Sequence, residues 1–249
     1  MAGHSKWANI KHKKAATDAK RSRQWSKLSK AIIVAAKQGG GDPDANIRLR
    51  TAINEAKAVS LPKDNIERAI KRGCGELDSE TFEEIVYEGY GAGGVAVMCE
   101  ILTDNRNRTA PEVRKIFEKH EGKMGATGCV GWMFDRKGLF VVSSEVADEE
   151  RLMDVAIAAG AEDIRAGSQD FEIVCDPDAF SDVSQALQDA GIGTVSATVT
   201  RIPQNTVQLD VATARQVLAL MEALDDHDDV QNVSANFDLP DEVMAEIDA

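Results

Sequence analysis

The sequence predicts a multidomain protein of mixed α and α+β class: an N-terminal three-helix bundle plus two ferredoxin-like α+β domains, the third inserted in the second. Three observations carry this. Apolar residues recur at helical spacing up to about Gly75. After Leu77 the pattern changes to short strand and helix segments separated by glycine turns. Within that part, Leu139 to Ile202 reads strand–helix–strand–strand–helix–strand, the ferredoxin-like order. A chain of 249 residues suits two or three domains. The expected division is 1–78, then 79–135 joined with 204–249, with 136–203 inserted.

Residues 1–16 are basic and show little periodicity. The first helix is expected from about Thr17 to Gln38, capped by Thr17 or Asp18 and stopped by Gly39-Gly40-Gly41. Trp25, Leu28, Ile32 and Ala35 share one face, and Lys20, Arg23, Lys27, Lys30 and Lys37 lie roughly opposite. Asp42-Pro43 predicts the start of a second helix, with Ile47, Ile53 and Ala56 on its buried side. A third runs from about Lys63 to Arg72, with Ile66 and Ile70 inward and Gly73 as its stop.

In the second part, Phe82–Tyr90 and Val95–Leu102 read as strands around a glycine turn. A T-x-x-E capping box, Thr109 and Glu112, predicts a helix carrying Val113, Ile116 and Phe117. Gly122–Gly128 reads as a loop and Cys129–Phe134 as a strand. In the tail, a strand near Thr206–Leu209, a helix from Ala212 to Leu224 and a strand over Val230–Asn236 make half of another such unit. The strand–helix–strand of Val95–Phe134 supplies the other half, which is the reason for the nesting.

The net charge is −13. Spread evenly, it would repel nucleic acid. It is not even: residues 1–75 carry 17 basic and 6 acidic side chains, net +11, and residues 76–249 carry 12 and 36, net −24. No apolar run approaches a membrane span, and the basic N-terminus is not followed by the apolar stretch of a signal peptide. Cys74, Cys99, Cys129 and Cys175 form no CxxC pair and read as free thiols of a reducing compartment.

Several motifs fail on inspection. Gly89, Gly91 and Gly94 fit GxGxxG, but a strand follows where a dinucleotide site needs a helix. Asp42, Asp44 and Asn46 imitate a calcium loop, yet Ile47 and Ile53 occupy its glycine and glutamate positions. The acidic run Asp225, Asp226, Asp228 and Asp229 reads as a solvated surface. It also opposes the preceding helix's dipole, so something other than helix stability keeps it. His4, His12, His120 and His227 are scattered, and no serine or cysteine pairs with a base. The expectation is a non-enzyme with no catalytic residue, metal, cofactor, small-molecule substrate or membrane partner.

The strongest signal is the basic N-terminus. Lys6, Lys11, Lys13, Lys14, Lys20, Arg21, Arg23, Lys27 and Lys30 stand among a single acid, Asp18, with Trp7 and His12 interleaved to stack on bases. A solvated face, or one docked onto the protein's own acidic domains, is the competing explanation. Arg106 and Arg108, in Thr103–Thr109, are a second candidate, divided evenly between binding and bridging to acidic neighbours.

Met1-Ala-Gly-His-Ser-Lys-Trp-Ala-Asn-Ile-Lys-His-Lys-Lys14 resembles the opening of the YebC/PmpR family. So do Gly39–Arg50, Tyr87–Gly94, Thr103–Thr109 and Asp228–Val233, with Ile47 where proline is frequent in relatives. The resemblance implies three domains, one nested in another, a cytoplasmic location, and a role as a probable DNA-binding transcriptional regulator. Related proteins, a mitochondrial member among them, are described as translational activators acting at the ribosome. The expected function is therefore a nucleic-acid-binding regulator of gene expression, on DNA or on rRNA or tRNA. Its grip is placed on Lys6, Trp7, Lys11, His12, Lys13, Lys14, Lys20, Arg23, Lys27, Lys30, Arg106 and Arg108, with the acidic domains facing a protein or the ribosome. The third alternative is a protein-interaction scaffold.

Overall fold

The computed structural model describes Trp7 and residues 18–78, 81–167 and 169–248. From Asp18 the described residues run through the helices α1 (Asp18–Gly39), α2 (Ile47–Ala58) and α3 (Lys63–Gly73). The apolar face of α1 buries Ile32, Ile33, Ala35 and Ala36 against Leu49, Ala56, Ile66 and Ala69. Trp25 lies at its edge and donates from Nε1 to the Val59 carbonyl at 3.1 Å. Gly73 permits the close crossing of α3 on α1, since a Cβ there would stand 2.5 Å from the Ile33 carbonyl oxygen.

The start of α2 differs from the sequence pattern. Asp42 caps a turn of its own, accepting from the Asp44 amide at 2.9 Å, and the helix cap is Asn46, which accepts from the Leu49 amide at 3.1 Å. Two capping signals four positions apart compete, and the later one has the buried partners. Ile47 consequently points outward and is half exposed, while Leu49, Ala52, Ile53 and Ala56 form the buried face.

The second domain begins with β1 (Glu83–Tyr90) and β2 (Ala96–Thr103), an antiparallel hairpin in register from Glu83↔Thr103 to Tyr90↔Ala96. Its turn needs positive φ at Gly93 and Gly94, 66° and 74°, which explains the glycine cluster without a nucleotide. Next come α4 (Arg106–Lys119) and the short β3 (Lys123–Met124). The helix starts three residues before the predicted capping box. Asn105 is its cap, and Thr109 is buried in the first turn.

The chain then builds a separate sheet from β4 (Phe134–Ser143), α5 (Glu149–Leu152, continued as a π-turn over Met153–Ile157), β5 (Ala161–Ala166), β6 (Asp170–Cys175), α6 (Phe180–Asp189) and β7 (Ser196–Pro203). The antiparallel order β5-β6-β4-β7 is the ferredoxin-like one. Phe140 stacks on Phe180 in its core, ring centroids 4.7 Å apart.

The chain returns through β8 (Val207–Gln208), α7 (Val211–Asp225), β9 (Val230–Ala235), β10 (Phe237–Asp238) and α8 (Asp241–Asp248). β9 pairs with β2, completing the sheet β3-β1-β2-β9, and β10 pairs with β8 in a parallel two-stranded ribbon. This sheet has the same spatial plan as the inserted one, reached by another chain route. α4 crosses from β2 to β3 over β1, which precedes them both. The edge strand is Lys123–Met124, inside the predicted loop. Where the pattern predicts a strand at Cys129–Phe134, Gly131–Met133 is a 3-10 turn and Phe134 starts β4.

Candidate nucleic-acid interface

Lys6, Lys11, His12, Lys13 and Lys14 lie outside the described residues. Trp7 is described, and it does not offer a free ring. It is 7% exposed and belongs to the apolar core of the second domain, with Tyr87, Phe117 and Leu220. The stacking role expected of it is corrected: the indole is buried in the core of the second domain.

The basic face of α1 looks at the protein's own acidic segment. Lys20 Nζ is 3.0 Å from Glu222 Oε1, and Arg23 Nη1 is 2.8 Å from Asp226 Oδ1. Lys27 Nζ lies 3.6 Å from Asp225 Oδ1 and also donates to the Asp225 carbonyl. Lys30 Nζ is 2.7 Å from Asp229 Oδ1 and 3.1 Å from the Asp228 carbonyl. Steps of three and four residues keep these four cations on one stripe of α1. The stripe lies along the last turn of α7 and the loop after it.

The acidic run is therefore not a solvated surface, and its position at a helix C-terminus has a reason. The Lys27 ammonium from α1 meets the Asp225 carbonyl at the end of α7, the favourable end of the helix dipole for a cation. With Lys20, Arg23 and Lys30 it also offsets the acidic side chains that the dipole would disfavour.

Asp229 is the centre of this contact. Besides Lys30, its carboxylate accepts from Thr109 at 2.7 Å, Arg108 at 3.0 Å and Thr103 at 3.1 Å. Burial pushes its pKa up, but Lys30, Thr109 and Arg108 outweigh burial and hold the carboxyl well below the usual carboxylate range. Next to it, His227 Nδ1 accepts from the Asp229 amide at 3.1 Å, which leaves Nε2–H to donate to Glu112 at 3.0 Å.

Arg108 also reaches Asp104 at 2.8 Å, so it bridges acidic neighbours. Arg106 is exposed and carries no ion pair among the described residues. Asp229 escapes sequence reasoning because it looks like its three acidic neighbours. The one available signal is that it directly precedes the apolar start of β9. Among the described residues, no group of three His, Cys, Asp or Glu side chains is placed to hold a metal ion, and all four cysteines are free. No helix among them is long and apolar enough to cross a membrane.

A basic helical bundle clamped to an acidic, doubly folded α+β body defines the class of protein. Residues 5–76 match the family model of the TACO1/YebC protein N-terminal domain, and residues 82–237 match that of the TACO1/YebC second and third domain. The chain belongs to the TACO1/YebC family. It is 58% identical, over 99% of its length and all of the relative's, to a probable transcriptional regulatory protein of Rhodopirellula baltica. It is 56% identical to another so named in Geobacter sulfurreducens, again over 99% and 100% of the two chains. The crystal structure of a conserved hypothetical protein from Aquifex aeolicus superposes with a TM-score of 0.83 at 50% identity, covering 93% of this chain and 96% of that one.

Proposed function

We propose that the protein is a non-enzymatic, cytoplasmic, nucleic-acid-binding regulator that acts on transcription, the role in the names of its relatives. One observation carries this: nine basic side chains between Lys6 and Lys30 stand beside one acid in a protein of net charge −13. Such a density binds phosphate and releases counterions. Lys6, Lys11, Lys13 and Lys14, with His12, make the first contact. Lys20, Arg23, Lys27 and Lys30 join only by exchanging carboxylate partners for phosphates. Arg106 is a further exposed contact. Backbone contacts of this kind position a protein without specifying sequence. The acidic domains face a protein partner, or keep the molecule from lying flat on phosphate.

A second reading, a translation factor on structured RNA, is favoured by one feature. The basic face of α1 is covered by Glu222–Asp229, so in this arrangement it enters no major groove. RNA is read largely by shape and by its single strands. Gradient sedimentation of cell lysate, with and without RNase, separates the two. Absence from ribosomes together with a promoter footprint supports transcription; co-migration with ribosomes that RNase abolishes supports translation.

A further inference from the structure

Glu88 is almost fully buried, and its carboxylate accepts three backbone N–H groups, from Gly128, Val130 and Gly131, each at 2.7 Å. Burial raises its pKa, but the amides of Val130, Gly128 and Gly131 outweigh burial and keep the carboxyl below its ordinary value. The Glu88 carbonyl also accepts from the Gly125 amide at 2.7 Å. One strand residue thus fixes both ends of a glycine-rich loop, which is why 129–134 forms no strand.

The fixed loop presents aromatic surface. Trp132 is 69% exposed and Tyr90 40%. Trp132 Nε1 donates to the Cys129 carbonyl at 3.3 Å, and the Tyr90 hydroxyl donates to that same oxygen at 3.2 Å. The two side chains are held next to each other by their polar edges, with their polar atoms satisfied and ring surface open to solvent. Charge sets this patch apart from the rest of the acidic body. Residues 89–99 and 124–134 contain no charged side chain; the charges that border them are the buried Glu88, Glu100 paired with Arg201, the exposed Asp135, and the exposed Lys123, which is paired in register with Tyr90.

We infer that Tyr90 and Trp132 form a stacking platform for unpaired nucleobases, with Lys123 taking an adjacent phosphate. Exposed amphipathic rings on a rigid support stack on any base without reading its edges. A surface with no charged side chain of its own, bordered by the exposed cation Lys123, is where a polyanion can approach an otherwise repelling body. The glycines leave the loop backbone open to close approach. The platform rests on the nucleic-acid reading above and adds to it a preference for single strands, on a domain distinct from the basic arm.

The test is Trp fluorescence of the full chain titrated with a short single-stranded oligonucleotide and with its duplex, for wild type, Trp132→Phe and Trp132→Ala. Trp7 is buried and Trp25 partly so, so Trp132 dominates quenching by an outside ligand. The single strand quenches wild type more than the duplex does, and that difference disappears in Trp132→Phe. Trp132→Ala binds the single strand roughly 5- to 150-fold more weakly, the range for one lost stack, with an unchanged melting temperature because the ring is exposed. Trp132→Phe retains intermediate affinity. Oligonucleotide retained with equal affinity by wild type and Trp132→Ala, without quenching, overturns the platform alone and makes it a protein-facing patch. No retention of either nucleic acid at low salt overturns the platform and the proposed function together.

Discussion

Asp229 receives four side chains from three segments of the chain, so it is the residue whose loss the fold feels most. Asp229→Ala leaves Lys30 and Arg108 without their buried counter-charge and is expected to cost about 3–5 kcal/mol, read by urea denaturation. The sign of the pH dependence follows from the depressed pKa values of Asp229 and Glu88. Their stabilisation is complete above the unfolded-state carboxylate pKa of about 4 and is lost as pH falls below it. Melting temperature is therefore expected to fall on acidification below about pH 4, and Asp229→Asn is expected to flatten that fall. Arg106 and Arg108, equivalent in the sequence, separate here. Arg108→Ala is expected to lower the melting temperature, since it removes two ion pairs. Arg106→Ala is expected to leave melting unchanged and to weaken nucleic-acid binding. A binding assay beside a thermal melt distinguishes them. Sequence alone cannot separate them, because spacing does not say which guanidinium finds a carboxylate.

At the scale of elements, periodicity makes α1, α3, α6 and α7 legible, because each buries one continuous apolar stripe. It also identifies the basic stripe of α1, but not what covers it: a helical pattern reports which residues share a face, not what that face meets. The start of α2 is less legible, because Asp42 and Asn46 are both competent caps. Asn46 wins by adding tertiary bonds, donating to the Ala35 and Gly40 carbonyls at 2.8 Å each. Asn46→Ala is expected to cost about 2 kcal/mol, the cap together with two stranded carbonyls, measured by chemical denaturation. The missing strand at Cys129–Phe134 has a different cause. Its alternation is strand-like, but its amides are taken by Glu88, a partner some forty positions earlier that no local pattern reveals.

At the scale of the molecule, charge organises both the contact between domains and the proposed binding. The chain changes sign near Gly75, which the sequence shows. That the positive part then closes onto the most acidic segment of the negative part is a tertiary fact. The carboxylates of the ladder compete with phosphate for the same cations. Asp225→Asn with Asp226→Asn removes the carboxylate charges paired with Lys27 and Arg23, and is expected to raise nucleic-acid affinity several-fold while loosening the contact between α1 and α7. Filter binding read beside a thermal melt checks both effects.

The central claim, that the basic N-terminus grips phosphate, is tested most directly by the salt dependence of oligonucleotide binding by wild type and by Lys11→Glu/Lys13→Glu/Lys14→Glu. Each phosphate contact contributes a slope of about −0.7 to −0.9 in log K against log salt. The triple variant is expected to bind far more weakly, with a slope shallower by about 2 to 3 units and an unchanged melting temperature. Equal affinity and equal slope for the two proteins at moderate salt would contradict the claim and place the binding function, if any, elsewhere on the molecule.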